Sequence, residues 1–343
     1  MTLPAGEKTT IETLLRGHWY DAVAALLAEQ AGYDTAAELA TAAKRVLDLD
    51  AEDFDDIAEG HESAWAARLL QARFPRTPQD PERGALGTLV PLYELMLEVL
   101  DLRATRHEPL QVVVTAHLIG EYLVQLAMES WLGHAGDPQL MDTSVGEKWG
   151  TDDRSCPHSS ALRATAKRSM HACSGDIVAY TAYLDRFHSR LGEAFAICAM
   201  NHETTGPGDR PDVGETCPHP CSWITDGELE VRRDLDARVR LAKMYQDSAV
   251  VALRHYAPVG HFFGVPSTTE ISDAWLTTWQ RLSQQWRDGS NPLLAEPMPA
   301  APEATEALPG MSALVSAVAG RTIGPGSMIR DIGADIRAAL EAA

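Results

Sequence analysis

Cysteine is scarce in this chain: there are 5 in 343 residues, an odd number that does not suit a disulfide framework and points instead to thiols, a metal or a cofactor. Positive charge is also in short supply. The 29 lysines and arginines stand against 49 aspartates and glutamates, a net charge of −20, and no stretch gathers cations as counterion release on a polyanion requires. Nucleic acid is therefore not an expected partner. No charge-free apolar run of about 18 residues occurs, and the opening MTLPAGEKTTIETLL lacks the basic-then-apolar order of a secretory signal. The expectation is a cytoplasmic protein with no membrane association. Alternating β patterns, internal repeats and glycine-rich phosphate loops are missing too. What is present is a 45% hydrophobic composition, enough for a substantial core, arranged with helical periodicity almost throughout.

Between Ile11 and Gln30 apolar residues recur at steps of three and four (Leu14, Leu15, Trp19, Val23, Leu26, Leu27), and a second such run covers Ala36 to Leu49. Asp50 to Glu62 is strongly acidic and leads into Ala64–Phe74, as a solvated helix start would, since carboxylates suit the positive end of the dipole. Two prolines make 76–84 a linker. The pattern then predicts helices over Leu89–Leu102 and Pro109–Leu132, the second with proline in its first turn, Gly133 at its end and apolar residues on most sides. A helix of that kind belongs at the centre of a bundle. Further helices are predicted over 162–203, 228–256 and 268–288, the last with Trp275, Trp279, Leu282 and Trp286 at core spacing, and irregular stretches over 133–160 and 204–226. The expected fold is all-α, a helical bundle with long irregular loops. Residues 1–75 are read as N-terminal helices packing on the main bundle, 85–290 as the main helical domain with a cofactor pocket, and 291–343 as a Pro/Ala-rich linker with a C-terminal helical tail.

The predicted central helix carries His117, Glu121 and Gln125 at i, i+4 and i+8, a polar stripe among valines and leucines. Desolvating such groups unpaired costs about 1–3 kcal/mol each, so the stripe implies either an internal hydrogen-bond network or a face toward a ligand. A ferritin-like di-iron site is not expected, because Glu-x-x-His does not occur in the chain. His188 and His202 share a helix face, and Asn201-His202-Glu203 runs into Thr204, Thr205, Gly206 and Gly208, a loop able to wrap a small polar ligand. Cys217-Pro-His219-Pro-Cys221 offers three soft or borderline ligands stiffened by proline, and Cys156-Pro-His158 repeats its start. Together Cys156, His158, Cys217, His219 and Cys221 could close a zinc site. Alternatively His219 ligates a heme with a neighbouring cysteine bonded to it, or the segment is a rigid turn with incidental thiols. His171 and Cys173 have no assigned role, and Cys198 reads as core.

Two of these segments carry a family resemblance. His117-Leu-Ile-Gly-Glu121-Tyr-Leu-Val-Gln125, preceded by His107-Glu108 and Val112–Val114, resembles the distal-pocket helix of tryptophan 2,3-dioxygenase. Arg186-Phe-His188-Ser-Arg-Leu-Gly-Glu193, followed by Thr205-Gly206-Pro207-Gly208, is similar to that family's second signature, which holds the heme-ligating histidine and a substrate-binding Thr-Gly loop. The wider superfamily includes heme-dependent hydroxylases of tyrosine and methyltyrosine in natural-product pathways, the branch this chain most resembles. The resemblance implies an oxidoreductase: a mono- or dioxygenase acting on the ring of a tyrosine- or tryptophan-like amino acid with dioxygen or hydrogen peroxide. Heme would be b-type or attached through a cysteine. His117 would be the distal group, polarising the oxidant or accepting the phenol or indole proton, with Glu121 orienting it. His188, or else His202 or His219, would be the proximal ligand. Thr204, Thr205, Gly206, Gly208 and a nearby arginine would hold the amino-acid head group. The expected partners are a small aromatic substrate and a second copy of the chain in a homo-oligomer. The alternative is a non-heme enzyme using a Cys/His-bound zinc or iron, or a zinc-stabilised scaffold.

Overall fold

A computed structural model describes residues 3–73, 88–132, 229–257, 260, 264–286, 289–295 and 306–343. Among them 74% are helical and none lies in a strand, so the fold is all-α. The chain divides into two compact units, Met1–Phe74 with Val90–Val112 and Pro325–Ala343, and Pro75–Leu89 with Val113–Gly324.

In the first unit, helices α1 (Ala5–Arg16), α2 (Tyr20–Ala28), α3 (Asp34–Leu47), α4 (Phe54–Ala58), α5 (Ala64–Ala72), α6 (Val90–Thr105) and α13 (Met328–Ala342) build one core. The single helix expected from Ile11 to Gln30 is two, because the chain turns at Gly17 and at His18, which has φ +57°. Arg106 supports that turn by donating to the His18 carbonyl at 2.8 Å and stacking 4.0 Å over the Trp19 ring. The α3 sequence DTAAELATAAKRVL is alanine-rich, with Asp34 in its first turn and Lys44 and Arg45 in its last, each matching the helix dipole. Its amphipathic face packs on α2 and α13. Arg103, 6% exposed, donates to the Leu47 carbonyl, Asp48 and Glu108 at 3.0, 2.6 and 2.6 Å, so its buried charge is fully engaged.

The second unit packs α8 (Leu123–Leu132), α9 (Leu229–Gln246), α11 (Thr268–Leu282) and α12 (Met311–Ala319), with α10 (Ala249–Tyr256) against α11. The expected helix over 228–256 breaks between Gln246 and Ala249, and that over 268–288 ends at Leu282. Ser267 and Glu270 open α11 with reciprocal capping: Ser267 Oγ accepts from the Glu270 amide at 3.2 Å and Glu270 Oε2 accepts from the Ser267 amide at 2.8 Å. α12, expected as part of a tail, is instead core. Its sequence MSALVSAVA is apolar apart from two serines, and residues 311–318 are all buried. Gly310 precedes it at φ +95°, where a Cβ would fall 2.5 Å from the Trp279 ring. The span Pro109–Glu129 is, by length and composition, apolar enough to cross a membrane, and 61% of its window is buried inside the protein, as a core helix would be.

Glu98 on α6 joins distant parts of the first unit. Its carboxylate, 1% exposed, accepts from the Ile329 and Arg330 amides at 3.2 and 3.1 Å and from Arg330 Nε at 3.2 Å, closing the open first turn of α13. Burial raises this carboxyl above its ordinary 4.5, against the lowering effect of those hydrogen bonds and of the Arg330 charge. A group that holds its proton more tightly folded than unfolded contributes its full stability below pH 4.5 and loses it as pH climbs to the folded value. Denaturant midpoints measured across pH should therefore show the wild type losing ground to Glu98→Gln as pH rises from 4.5. Glu98→Ala, which strips three donors of their acceptor, should cost about 2–3 kcal/mol.

Candidate functional site

The helix expected over Pro109–Leu132 is interrupted at Tyr122, giving α7 (Pro109–Glu121) and then α8. Around the interruption Val113, Ala116, Ile119, Leu123, Val124 and Met128 are buried, which accounts for the apolar sequence. The end of α9 grips this helix through its backbone. Tyr245 Oη donates to the Ala116 carbonyl at 2.7 Å, and Gln246 Nε2 donates to the Gly120 carbonyl at 2.8 Å, one helical turn further on. Complete burial pushes the Tyr245 phenol far above its ordinary range, so it stays neutral and remains a donor. Gly120 permits the approach: a Cβ there would lie 3.3 Å from Tyr245 Cε1.

On this fixed helix His117 and Glu121 meet. His117 Nε2 lies 2.8 Å from Glu121 Oε1, and the imidazole is largely enclosed, with 13% of its side chain exposed. The same nitrogen is contacted by Arg254 Nη1 from the last turn of α10. His117 Nδ1 is buried without a hydrogen-bond partner among the described residues. Among the described residues the Arg254 side chain makes this one hydrogen bond and no ion pair. Gln125 is 4% exposed, and neither its amide oxygen nor its nitrogen has a partner among the described residues. The polar stripe thus holds an imidazole flanked by a carboxylate and a guanidinium, with a carboxamide further along the chain.

The sequence singled out His117, Glu121 and Gln125, and the first two are in contact. Arg254 was not singled out by the sequence; its one cue is a cation closing the apolar run Ala249–Leu253. Tyr245 and Gln246 carry no cue, because what they recognise is backbone. His188, His202, His219, Thr204, Thr205, Gly206, Gly208, Cys156, His158, Cys217 and Cys221 lie outside the described residues. Among the described residues no group of three or more His, Cys, Asp or Glu side chains is placed to hold a metal ion. The first unit has a cavity of about 250 Å³ beside Tyr33, but the charges that line it include Arg337 and Glu12, which pair with each other at 3.6 Å. No family model, curated protein or solved structure matches the chain.

Tyr245→Phe should destabilise the second unit by about 1–2 kcal/mol, since it leaves the Ala116 carbonyl without that donor. Gly120→Ala should cost about 1–3 kcal/mol by crowding the same ring. Because both changes act on one contact, the double variant measured by urea unfolding should lose less than the two single losses added together.

Proposed function

We propose that this chain is an enzyme that binds a small carboxylate-bearing aromatic molecule beside His117 and Glu121 and uses that pair to move a proton. The observation that carries the reading is the 2.8 Å contact between His117 Nε2 and Glu121 Oε1 on a helix whose other side chains are mostly apolar. Enclosing an imidazole works against folding unless its polar atoms are matched, and an apolar side chain would pack there without that cost. An imidazole held by a carboxylate is the usual arrangement of a general acid or base. Arg254, a guanidinium with no ion pair among the described residues, supplies the complementary charge for the ligand's carboxylate.

The resemblance gives this reading its specific form: a heme-dependent oxygenase or hydroxylase acting on the ring of a tyrosine- or tryptophan-like amino acid in a biosynthetic pathway. His117 fits beside such a group better than as its ligand, because Nε2 is engaged by Glu121 and Arg254 while Nδ1 is the enclosed, unpartnered nitrogen. His188, His202 or His219 would hold the iron. When bound, the heme supplies the oxidising power for ring oxygenation with dioxygen or hydrogen peroxide. The chain's own residues do the rest. Arg254 holds the carboxylate, His117 takes the phenol or indole proton, and Glu121 orients the imidazole and stabilises its charged form.

Purified protein supplied with hemin and hydrogen peroxide tests this with L-tyrosine and L-tryptophan as substrates. His117→Ala should keep the absorption spectrum of the bound cofactor yet lower turnover about 10²–10⁴-fold; unchanged turnover would reduce the pair to a structural contact. Among His188→Ala, His202→Ala and His219→Ala, the one that loses iron and colour identifies the axial ligand. A chain that takes up no heme would sink the oxygenase reading.

A further inference from the structure

The crowding of one nitrogen suggests how the proton-moving group is controlled. A neutral imidazole has one N–H and one acceptor lone pair, and here its two neighbours make opposite demands on the same atom. Arg254 can only donate, so its contact with Nε2 requires the lone pair there and puts the proton on Nδ1. Glu121, when ionised, can only accept, so its 2.8 Å contact requires the proton on Nε2 and leaves the lone pair on Nδ1. In the first arrangement the carboxylate faces a lone pair, and Nδ1–H is buried without an acceptor among the described residues. In the second, a guanidinium N–H faces an imidazole N–H.

Resting on the reading of Arg254 as the carboxylate anchor, we infer that the substrate's carboxylate is the switch that arms His117: by drawing Arg254 off Nε2 it gives that nitrogen to Glu121 and leaves Nδ1 as the base. The planar fork of a guanidinium matches a carboxylate with two parallel hydrogen bonds, which an imidazole lone pair cannot offer. Once Arg254 is turned to an anion, its charge is balanced and its clash with an Nε2 proton disappears. Nε2–H then donates to Glu121, and the buried Nδ1 lone pair has no competing donor among the described residues. The proton that leaves a phenol O–H or indole N–H goes to Nδ1, its electron pair stays on the substrate, and the imidazolium so formed donates through Nε2 to Glu121. Arg254 is in this way a positioning residue for the base as well as a binding residue. A molecule with the same ring but no carboxylate leaves Arg254 on Nε2 and finds Nδ1 protonated, so it meets no base.

The tautomer of His117 can be read directly in full-length protein labelled with ¹⁵N in its histidine rings, using two-bond proton–nitrogen correlations, with His117→Gln to assign the signal. Without ligand the ring should carry its proton on Nδ1. Adding L-tyrosine should move it to Nε2, whereas tyramine, which lacks the carboxylate, should leave it unchanged even at saturation. Arg254→Gln should hold the proton on Nε2 throughout and weaken L-tyrosine binding at least about 10-fold, with tyramine binding unaffected. L-tyrosine that binds without changing the tautomer, or a ring already protonated on Nε2 before ligand, would overturn the switch and leave the carboxylate site standing. Failure of both L-tyrosine and L-tryptophan to bind the wild type would remove the proposed function itself, and the switch with it. The wild-type titrations decide the matter even where Arg254→Gln folds poorly.

Discussion

A helix that is apolar on most of its sides has to be enclosed, and every polar group it carries inward has to be matched. That constraint acts on α7 and α8. Their valines, leucines and alanines leave no face suited to water, so neighbouring helices cover them, and the carbonyls at Ala116 and Gly120 gain donors from Tyr245 and Gln246. Fixing the backbone at these two carbonyls also fixes the direction of His117, which sits between them. The packing demand and the placement of the candidate site are therefore one problem with one solution.

The first unit meets a similar constraint with charge. Arg103 and Glu98 are both nearly inaccessible to water, and each is surrounded by groups of the opposite kind: a carbonyl and two carboxylates for the arginine, two amides and a guanidinium for the glutamate. An unpaired charge at either place would cost more than packing returns. Because the partners of Glu98 are more than 200 residues away in sequence, this pairing ties the end of the chain to α6.

What separates the His117 cluster from these structural pairs is its incomplete matching. One nitrogen has two neighbours with opposite requirements, the other nitrogen has no partner among the described residues, and Arg254 has no ion pair there. Arg103 and Glu98, by contrast, have their charges met by several partners each. The proposed ligand would complete this cluster by offering its carboxylate to the Arg254 guanidinium.

The sequence alone carried the helical class and the position of the most apolar helix, because periodicity and side-chain burial are local consequences of composition. It also marked His117 and Glu121, since spacing of four places two side chains on one helix face wherever that helix sits. It did not reveal the turn at His18 or the interruption at Tyr122, because the apolar pattern runs across both. Nor did it show that Met311–Ala319 is core, for a short run of small apolar residues reads equally as a tail until other helices close around it. Arg254 and Tyr245 lie 137 and 129 residues from the groups they contact. Contacts at such separations are set by how helices pack, which no local pattern encodes, and the surroundings of His117 depend on them.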